Sequence, residues 1–158
     1  MSGRIFIPLD GSKTSEAALR YVEGLVSRLA PAAKVEVTLF HAITTLTHEV
    51  AISGGGMGGP ISTPYTDSEL EQKKGEVMEY LKEVGEGLVS QGATVTFKVT
   101  VGKASAEEII KAEEEVNADL VAMSTHGRHG LSRWAFGSVT EKVLRGGKVP
   151  VLMVRAVA

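Results

Sequence analysis

One stretch of the sequence, residues 121–154, decides the fold: VAMSTHGRHGLSRWAFGSVTEKVLRGGKVPVLMV. An apolar run ends at Ser124, a helical pattern begins at Ser138, and a second apolar run, VLMV, follows at 151–154. Short apolar runs bounded by glycine and polar residues are typical of buried strands. A strand, a helix and a strand in this order predict two parallel strands joined by a helical crossover.

The same alternation of strand and helix patterns runs through the rest of the chain. It predicts an open five-stranded parallel sheet with helices on both faces and right-handed crossovers. The predicted strands are 4–9, 34–43, 93–101, 119–124 and 149–155, and the predicted helices are 12–30, 67–91, 105–116 and 138–145.

Residues 44–66 interrupt this pattern. They contain SGGGMGG and PISTPYT and show no sustained periodicity, so we expect a long flexible loop. Helix starts have their own signals: Asp67 is expected to cap the second helix, Ser105 and Glu108 to form a capping box on the third, and Ser138 to cap the fourth.

Composition limits the function classes. The chain has 158 residues, which predicts one domain over 1–158, with 43% hydrophobic and 23% charged residues. Its net charge of −2 lacks the basic excess of nucleic-acid binders, and no apolar run approaches the ~20 residues of a membrane helix. There is no cysteine, and the sequence reaches Asp10 too early for a secretory signal. We therefore expect a cytoplasmic protein with neither a nucleic-acid nor a membrane partner.

The carboxyl end of the fourth predicted strand carries a candidate phosphate site. In open parallel sheets, ligands bind beyond the strand ends where the strand order reverses. Ser124 ends the strand, Gly127 and Gly130 follow in the loop, and Gly137 precedes Ser138 at the helix start. Glycines allow close approach of the backbone to a ligand, and free N–H groups at a helix start attract anions. The alternative is that the glycines only form turns and Ser138 only caps the helix.

Charged residues flank this predicted phosphate site. Asp10 ends the first strand, where a carboxylate can accept hydrogen bonds from ribose hydroxyls or help to hold Mg²⁺; it could equally form an Asx turn. Arg128 would supply positive charge to a phosphate, although a surface position is the commoner fate of an arginine. His126 and His129 lack a third ligand, so no metal site is assigned.

Four segments give the chain a resemblance to the universal stress protein family. They are IPLDGS at 7–12, HAI at 41–43, STHGRHGLSRWAFGSVTEKVL at 124–144 and VPVLMVR at 149–155. ATP-binding members of that family carry Gly, two residues, Gly, nine residues, then Gly and Ser or Thr. Gly127, Gly137 and Ser138 match the second half of this signature, and Ser124 stands where its first glycine would be.

The resemblance implies a Rossmann-like sheet, similar to that of the adenine nucleotide alpha hydrolases, with strand order 3-2-1-4-5. It also implies an adenine nucleotide ligand. ATP is the expected nucleotide, ADP and AMP are alternatives, and Mg²⁺ is expected to accompany the phosphates. A homodimer through the last strand, at 151–154, is implied as well. In the family, the position of Asp10 contacts the nucleoside, and the backbone at that of Ala42 reads adenine. Together with the residue-based candidates, the expected binding residues are Pro8, Asp10, Ala42, Met123, Ser124, Gly127, Arg128, Gly130, Gly137, Ser138, Val139 and Thr140.

Two alternatives to a nucleotide-dependent regulatory protein stay open. One is a family member that binds no nucleotide and acts through its dimer surface, which Ser124 in place of glycine would favour. The other is a slow ATPase, which would need a further acid, base or metal cluster near Asp10. No general base or activated nucleophile is evident beside the predicted phosphates, so no catalytic residue is assigned.

Overall fold

A computed structural model describes residues 2–30, 32–45, 47–50, 61–125 and 137–156. Strands and helices alternate along most of the chain, as their apolar patterns predict. In chain order they are β1 (Ser2–Pro8), α1 (Lys13–Leu29), β2 (Lys34–Ile43), β3 (Thr47–Val50), β4 (Ile61–Pro64), α2 (Asp67–Ser90), β5 (Thr94–Val101), α3 (Ser105–Glu115), β6 (Leu120–Thr125), α4 (Ser138–Gly146) and β7 (Val151–Arg155).

Five of the strands form a parallel sheet in the order β5-β2-β1-β6-β7. Counted along the chain within this sheet, the order is 3-2-1-4-5, so the predicted topology is confirmed. β1 pairs with β2 from Ser2↔Lys34 to Pro8↔Phe40, and on its other side with β6 at Ile5↔Leu120. The strand order therefore reverses between β1 and β6, and the crevice expected at a reversal lies at their carboxyl ends.

The helices cover both faces of the sheet, as expected. Because side chains of a strand alternate between faces, Ile5 and Ile7 of β1 point to one side and Phe6 to the other. The first side packs against α1 and α2, and the second packs against α3 and α4. Phe6 lies against Phe40 of β2, with ring centroids 5.2 Å apart. Each face thus has its own apolar core.

The prediction that residues 44–66 lack regular structure is wrong for two short segments. β3 and β4 pair as antiparallel strands, from Thr47↔Pro64 to Val50↔Ile61. Segments of four residues are too short to show a convincing alternation in the sequence, and the prolines beside β4 favour a loop interpretation. Residues 51–60 lie outside the described part of the chain.

The predicted cap of α2 is displaced by one residue. Thr66 is the N-cap: its Oγ1 accepts the N–H of Glu69 at 3.2 Å, and the Glu69 carboxylate accepts the N–H of Thr66 at 3.4 Å. Asp67 is therefore the first helical residue and not the cap. A threonine and a glutamate three residues apart form a capping box, which fixes where this helix begins.

The predicted side-chain caps of α3 and α4 are wrong. Ala104 and Gly137 occupy the N-cap positions of these helices, and neither helix has a side-chain cap hydrogen bond. Ser105 and Ser138 are the first helical residues instead. Both helices consequently begin with backbone N–H groups that no cap side chain covers.

Glu113 of α3 is a buried carboxylate. The residue is fully buried, and neither carboxylate oxygen has a hydrogen-bond partner among the described residues. Burial raises the pKa of Glu113 above 4.5, and the nearby N–H groups of Lys148 and Val149 only partly oppose the shift. Ionisation of this side chain therefore works against folding.

We expect Glu113→Gln to stabilise the protein at pH 7, because glutamine cannot ionise at this buried position. The unfolded acid ionises near 4.5 and the folded acid at higher pH. The wild type therefore loses stability as the pH rises from 4.5 through the folded pKa, whereas glutamine does not titrate. Urea unfolding of both proteins between pH 4 and 8 measures the difference.

Glu115→Gln is the matched control. Glu115 lies on the same helix, and hydrogen bonding and charge attraction from Lys98, whose Nζ is 2.9 Å from Oε2, lower its pKa. Its contribution is present above pH 4.5 and is lost on acidification, so this variant should be destabilised at neutral pH and less so in acid. A Glu113→Gln effect that is independent of pH would contradict the assignment.

Candidate functional site

A crevice with a volume of about 200 Å³ lies at the carboxyl ends of β1 and β6. Its walls come from the residues after β1, the end of β2, and the first turns of α1, α3 and α4. The strand reversal brings these segments together, although they are distant in the sequence. Nine of the predicted binding residues line it: Pro8, Asp10, Ala42, Met123, Ser124, Gly137, Ser138, Val139 and Thr140.

The other three predicted residues, Gly127, Arg128 and Gly130, lie outside the described residues, as do His126 and His129. Among the described residues, no group of three or more His, Cys, Asp or Glu side chains could hold a metal ion. In the same part of the chain, no helix is both long enough and apolar enough to cross a bilayer.

Asp10 is held at the mouth of the crevice by the turn that leads into α1. Gly11 has φ +88°, a left-handed conformation that favours glycine, and it lets the chain turn sharply after β1. One carboxylate oxygen of Asp10 accepts the N–H of Ser12 at 2.8 Å, which is the Asx turn considered above. Its own N–H donates to Ser15 Oγ at 3.3 Å.

These contacts set the charge state of Asp10. Partial burial raises its pKa, but the hydrogen bonds from Ser12 and Ser15 outweigh burial and leave the pKa below 3.8. Asp10 is therefore an ionised hydrogen-bond acceptor at neutral pH. Ser12 also caps α1, since its Oγ accepts the N–H of Ser15 at 3.1 Å.

The start of α4 forms the opposite wall. Glu141 makes the first intrahelical bond, from its N–H to the Gly137 carbonyl at 3.0 Å. The N–H groups of Ser138, Val139 and Thr140 precede it and have no acceptor within the helix. Three such groups at the positive end of the helix dipole form a surface that favours an anion.

The α3 side of the crevice is apolar. Phe40, Ile109 and Met123 are buried in one cluster, and Ala42 packs against it. A surface of this kind accommodates a flat apolar group such as a base. Ser105 lies four residues before Ile109 and so on the same helix face, which adds one hydroxyl to this side.

β2 continues past the end of its pairing with β1. That pairing ends at Phe40, whereas β2 extends to Ile43. His41 lies in this extension, where Nδ1 donates to the Leu9 carbonyl at 2.8 Å, so this histidine is held at the end of the sheet. The edge of Ala42 that would face β1 is consequently available to the crevice.

Sequence reasoning missed seven residues that line the crevice. Ser12 and Ser15 could have been found, because a serine after Asp-Gly at a helix start is an N-cap signal. The apolar members carry no signal of their own, since a buried strand or helix residue looks the same whether or not a cavity adjoins it. The missed residues are Leu9, Ser12, Thr14, Ser15, Phe40, Ser105 and Ile109.

Comparison with known proteins decides the family. The model of the universal stress protein family matches residues 1–155. The chain belongs to the universal stress protein family. The universal stress protein MJ0577 of Methanocaldococcus jannaschii is 30% identical to it over 160 residues, 98% of this chain and 96% of that protein.

Solved structures of universal stress proteins share the fold. That of MJ0577 has a TM-score of 0.72 at 26% identity and covers 99% of this chain and 97% of its own. A universal stress protein in complex with cAMP has a TM-score of 0.60 at 23% identity, covering 97% and 96%. One from Archaeoglobus fulgidus in complex with dAMP has a TM-score of 0.58 at 18% identity, covering 98% of each chain.

We expect Ser12→Ala to lower the free energy of unfolding of this universal stress protein by about 1 kcal/mol, because α1 loses its N-cap hydrogen bond. The backbone contact of Ser12 with Asp10 remains. Urea unfolding measures the change. Ser90→Ala is the control, since among the described residues that hydroxyl bonds only the Gly87 carbonyl within α2, at 2.9 Å. Equal losses in the two variants would contradict the capping role.

Proposed function

We propose that this universal stress protein binds an adenine nucleotide in the crevice between β1 and β6, with ATP as the first candidate. The observation that carries the proposal is the division of the crevice into two chemically different sides. The start of α4, with its uncapped N–H groups, and an ionised Asp10 line one part of the crevice, and an apolar surface around Phe40 and Met123 lines another. A nucleotide has the same division between phosphates and base.

Each part of the nucleotide has a matching part of the crevice. The base would lie on the apolar surface, with Ala42 of β2 at its polar edge. Asp10 would accept hydrogen bonds from the ribose hydroxyls. The phosphates would lie at the start of α4, on the N–H groups of Ser138, Val139 and Thr140. By resemblance to the family, Gly127, Arg128 and Gly130 complete the phosphate contacts.

Two further observations support this assignment. Relatives with the same fold have been solved with cAMP and with dAMP, so this architecture accommodates adenine nucleotides in other members. Mg²⁺ would bind together with the phosphates, and Asp10 is a carboxylate of the crevice lining that could help to hold it. We assign no catalytic residue; the output we propose is a nucleotide-dependent conformation or assembly state in the cytoplasm, which a protein partner reads.

Replacing Gly137 with leucine should abolish nucleotide binding. Gly137 has φ −57° and ψ 154°, which any residue adopts, so the substitution does not strain the backbone. The added side chain would instead compete with the phosphates for space at the start of α4. Isothermal titration with Mg-ATP, together with native mass spectrometry of freshly purified protein, measures the loss.

Gly75→Leu is the control for this variant. Gly75 lies on α2, and a Cβ added there would meet nothing within 4 Å. Its affinity should equal that of the wild type. If Gly137→Leu binds ATP as tightly as the wild type, the phosphates do not lie at α4. If the wild type carries no nucleotide and does not bind one at millimolar concentration, the proposal is refuted.

We also propose a homodimer through β7. This strand is an edge of the sheet, so one side of its backbone is unpaired within the sheet, and the side chains at 151–154 are half-buried. An apolar edge strand is a template for pairing with a second chain. Sedimentation equilibrium should give the mass of two chains at micromolar concentration. A monomer at every concentration would exclude this interface.

A further inference from the structure

The Ser124 side chain connects β6 to α1. Its Oγ accepts the N–H of Ala18 at 2.8 Å and donates to the carbonyl of Ser15 at 3.2 Å. Both partners lie within the first two turns of α1, more than a hundred residues away in the chain. A hydroxyl can donate one hydrogen bond and accept others, so a single serine serves both backbone groups.

Ser15 extends this connection to Asp10. Its Oγ accepts the Asp10 N–H at 3.3 Å and donates to the Ser12 carbonyl at 2.9 Å. The N–H of Ser12 in turn reaches the Asp10 carboxylate at 2.8 Å. Ser124 therefore bonds the first turns of α1, and the serines at the start of α1 in turn bond Asp10.

α1 also packs against β6 through buried apolar side chains, among them Ala18, Val22 and Ala122. The turn after β1 is exposed at Asp10, Gly11 and Ser12, so packing does not fix it. Gly11, with φ +88°, has no Cβ to restrict its motion. Hydrogen bonds therefore hold the Asp10 carboxylate within this exposed turn, and those of Ser124 join α1 to β6 in addition to the apolar packing.

We propose that Ser124 is a positioning residue for the nucleotide, acting through Ser15 on Asp10; this inference rests on the proposed function. Within the family resemblance, a glycine would stand at this position. A glycine would leave α1 without this link, whereas the serine hydroxyl faces α1 and makes two hydrogen bonds there. The serine is consequently compatible with a ligand in the crevice. It also helps to fix the Asp10 carboxylate, the hydrogen-bond acceptor at the mouth of the crevice.

Ser124→Ala tests the proposal, because it removes both hydrogen bonds and little volume. The first measurement needs no ligand: amide hydrogen exchange and ¹H–¹⁵N shifts of Asp10 and Ser12 by NMR. We expect both amides to exchange faster in Ser124→Ala and to remain unchanged in Ser124→Thr, which keeps the hydroxyl. Ser27→Ala is the control, since its hydroxyl bonds the Gly24 carbonyl of α1, at 2.9 Å, and no other group in the part of the chain that the structure describes.

The second measurement is a double-mutant cycle on Mg-ATP affinity, with Ser124→Ala, Asp10→Asn and the double variant. We expect Ser124→Ala to weaken binding about fivefold, the loss typical of one hydrogen bond. In the Asp10→Asn background it should weaken binding less than about twofold, because the group that it positions is already altered. Circular dichroism confirms that each variant is folded.

The outcomes separate the two proposals. Unchanged Asp10 and Ser12 amides in Ser124→Ala, or equal effects of that substitution in both backgrounds, would overturn the positioning role. A wild type that binds no adenine nucleotide would refute the proposed function, and faster amide exchange in Ser124→Ala would then still support the link from Ser124 to Asp10.

Discussion

The rest of the structure depends on the position of β1 at the point where the strand order reverses. β1 is flanked by β2 and β6, and its residues Phe6 and Ile7 are fully buried on opposite faces. From β1 the chain proceeds in one direction to β2 and β5, and then crosses to β6 and β7 on the other side. Because the chain reverses direction across the sheet, α1 and α2 lie on one face and α3 and α4 on the other. The crevice lies at the carboxyl ends of β1 and β6, where the strand order reverses.

Two of the described glutamates are buried, Glu16 of α1 on one face of the sheet and Glu113 of α3 on the other. Glu16 of α1 is buried but accepts hydrogen bonds from Tyr80 at 2.9 Å and from Lys13 at 3.2 Å. Burial and the Glu16 carboxylate raise the pKa of Tyr80, so its hydroxyl stays a donor and joins α2 to α1. Glu113, on the other face, is buried without a partner among the described residues. The hydrogen bonds of Glu16 offset the cost of its burial, whereas burial of the Glu113 carboxylate is not offset in this way.

The elements with clear apolar periodicity could be predicted closely from the sequence. α2 was expected at 67–91 and spans Asp67–Ser90, and β2 was expected where it is found. Cap positions were predicted less closely. Ala104 carries no capping signal, and although Thr66 and Glu69 have the capping-box spacing, the adjacent Asp67 is an equally good capping residue type. The β3–β4 pair was missed because two segments of four residues, separated by residues without a pattern, carry too little signal.

The sequence by itself determined the order of the helices and of the five strands of the parallel sheet, and the placement of Asp10 and Ser124 at strand ends. Local periodicity and turn residues carry that information, and they act over a few neighbouring positions. Only the tertiary structure decided that Phe40, Ser105 and Ile109 share a wall of the crevice, and that the Ser124 hydroxyl faces α1. These contacts join residues far apart in the chain, and the strand order that brings them together results from packing both faces of one sheet.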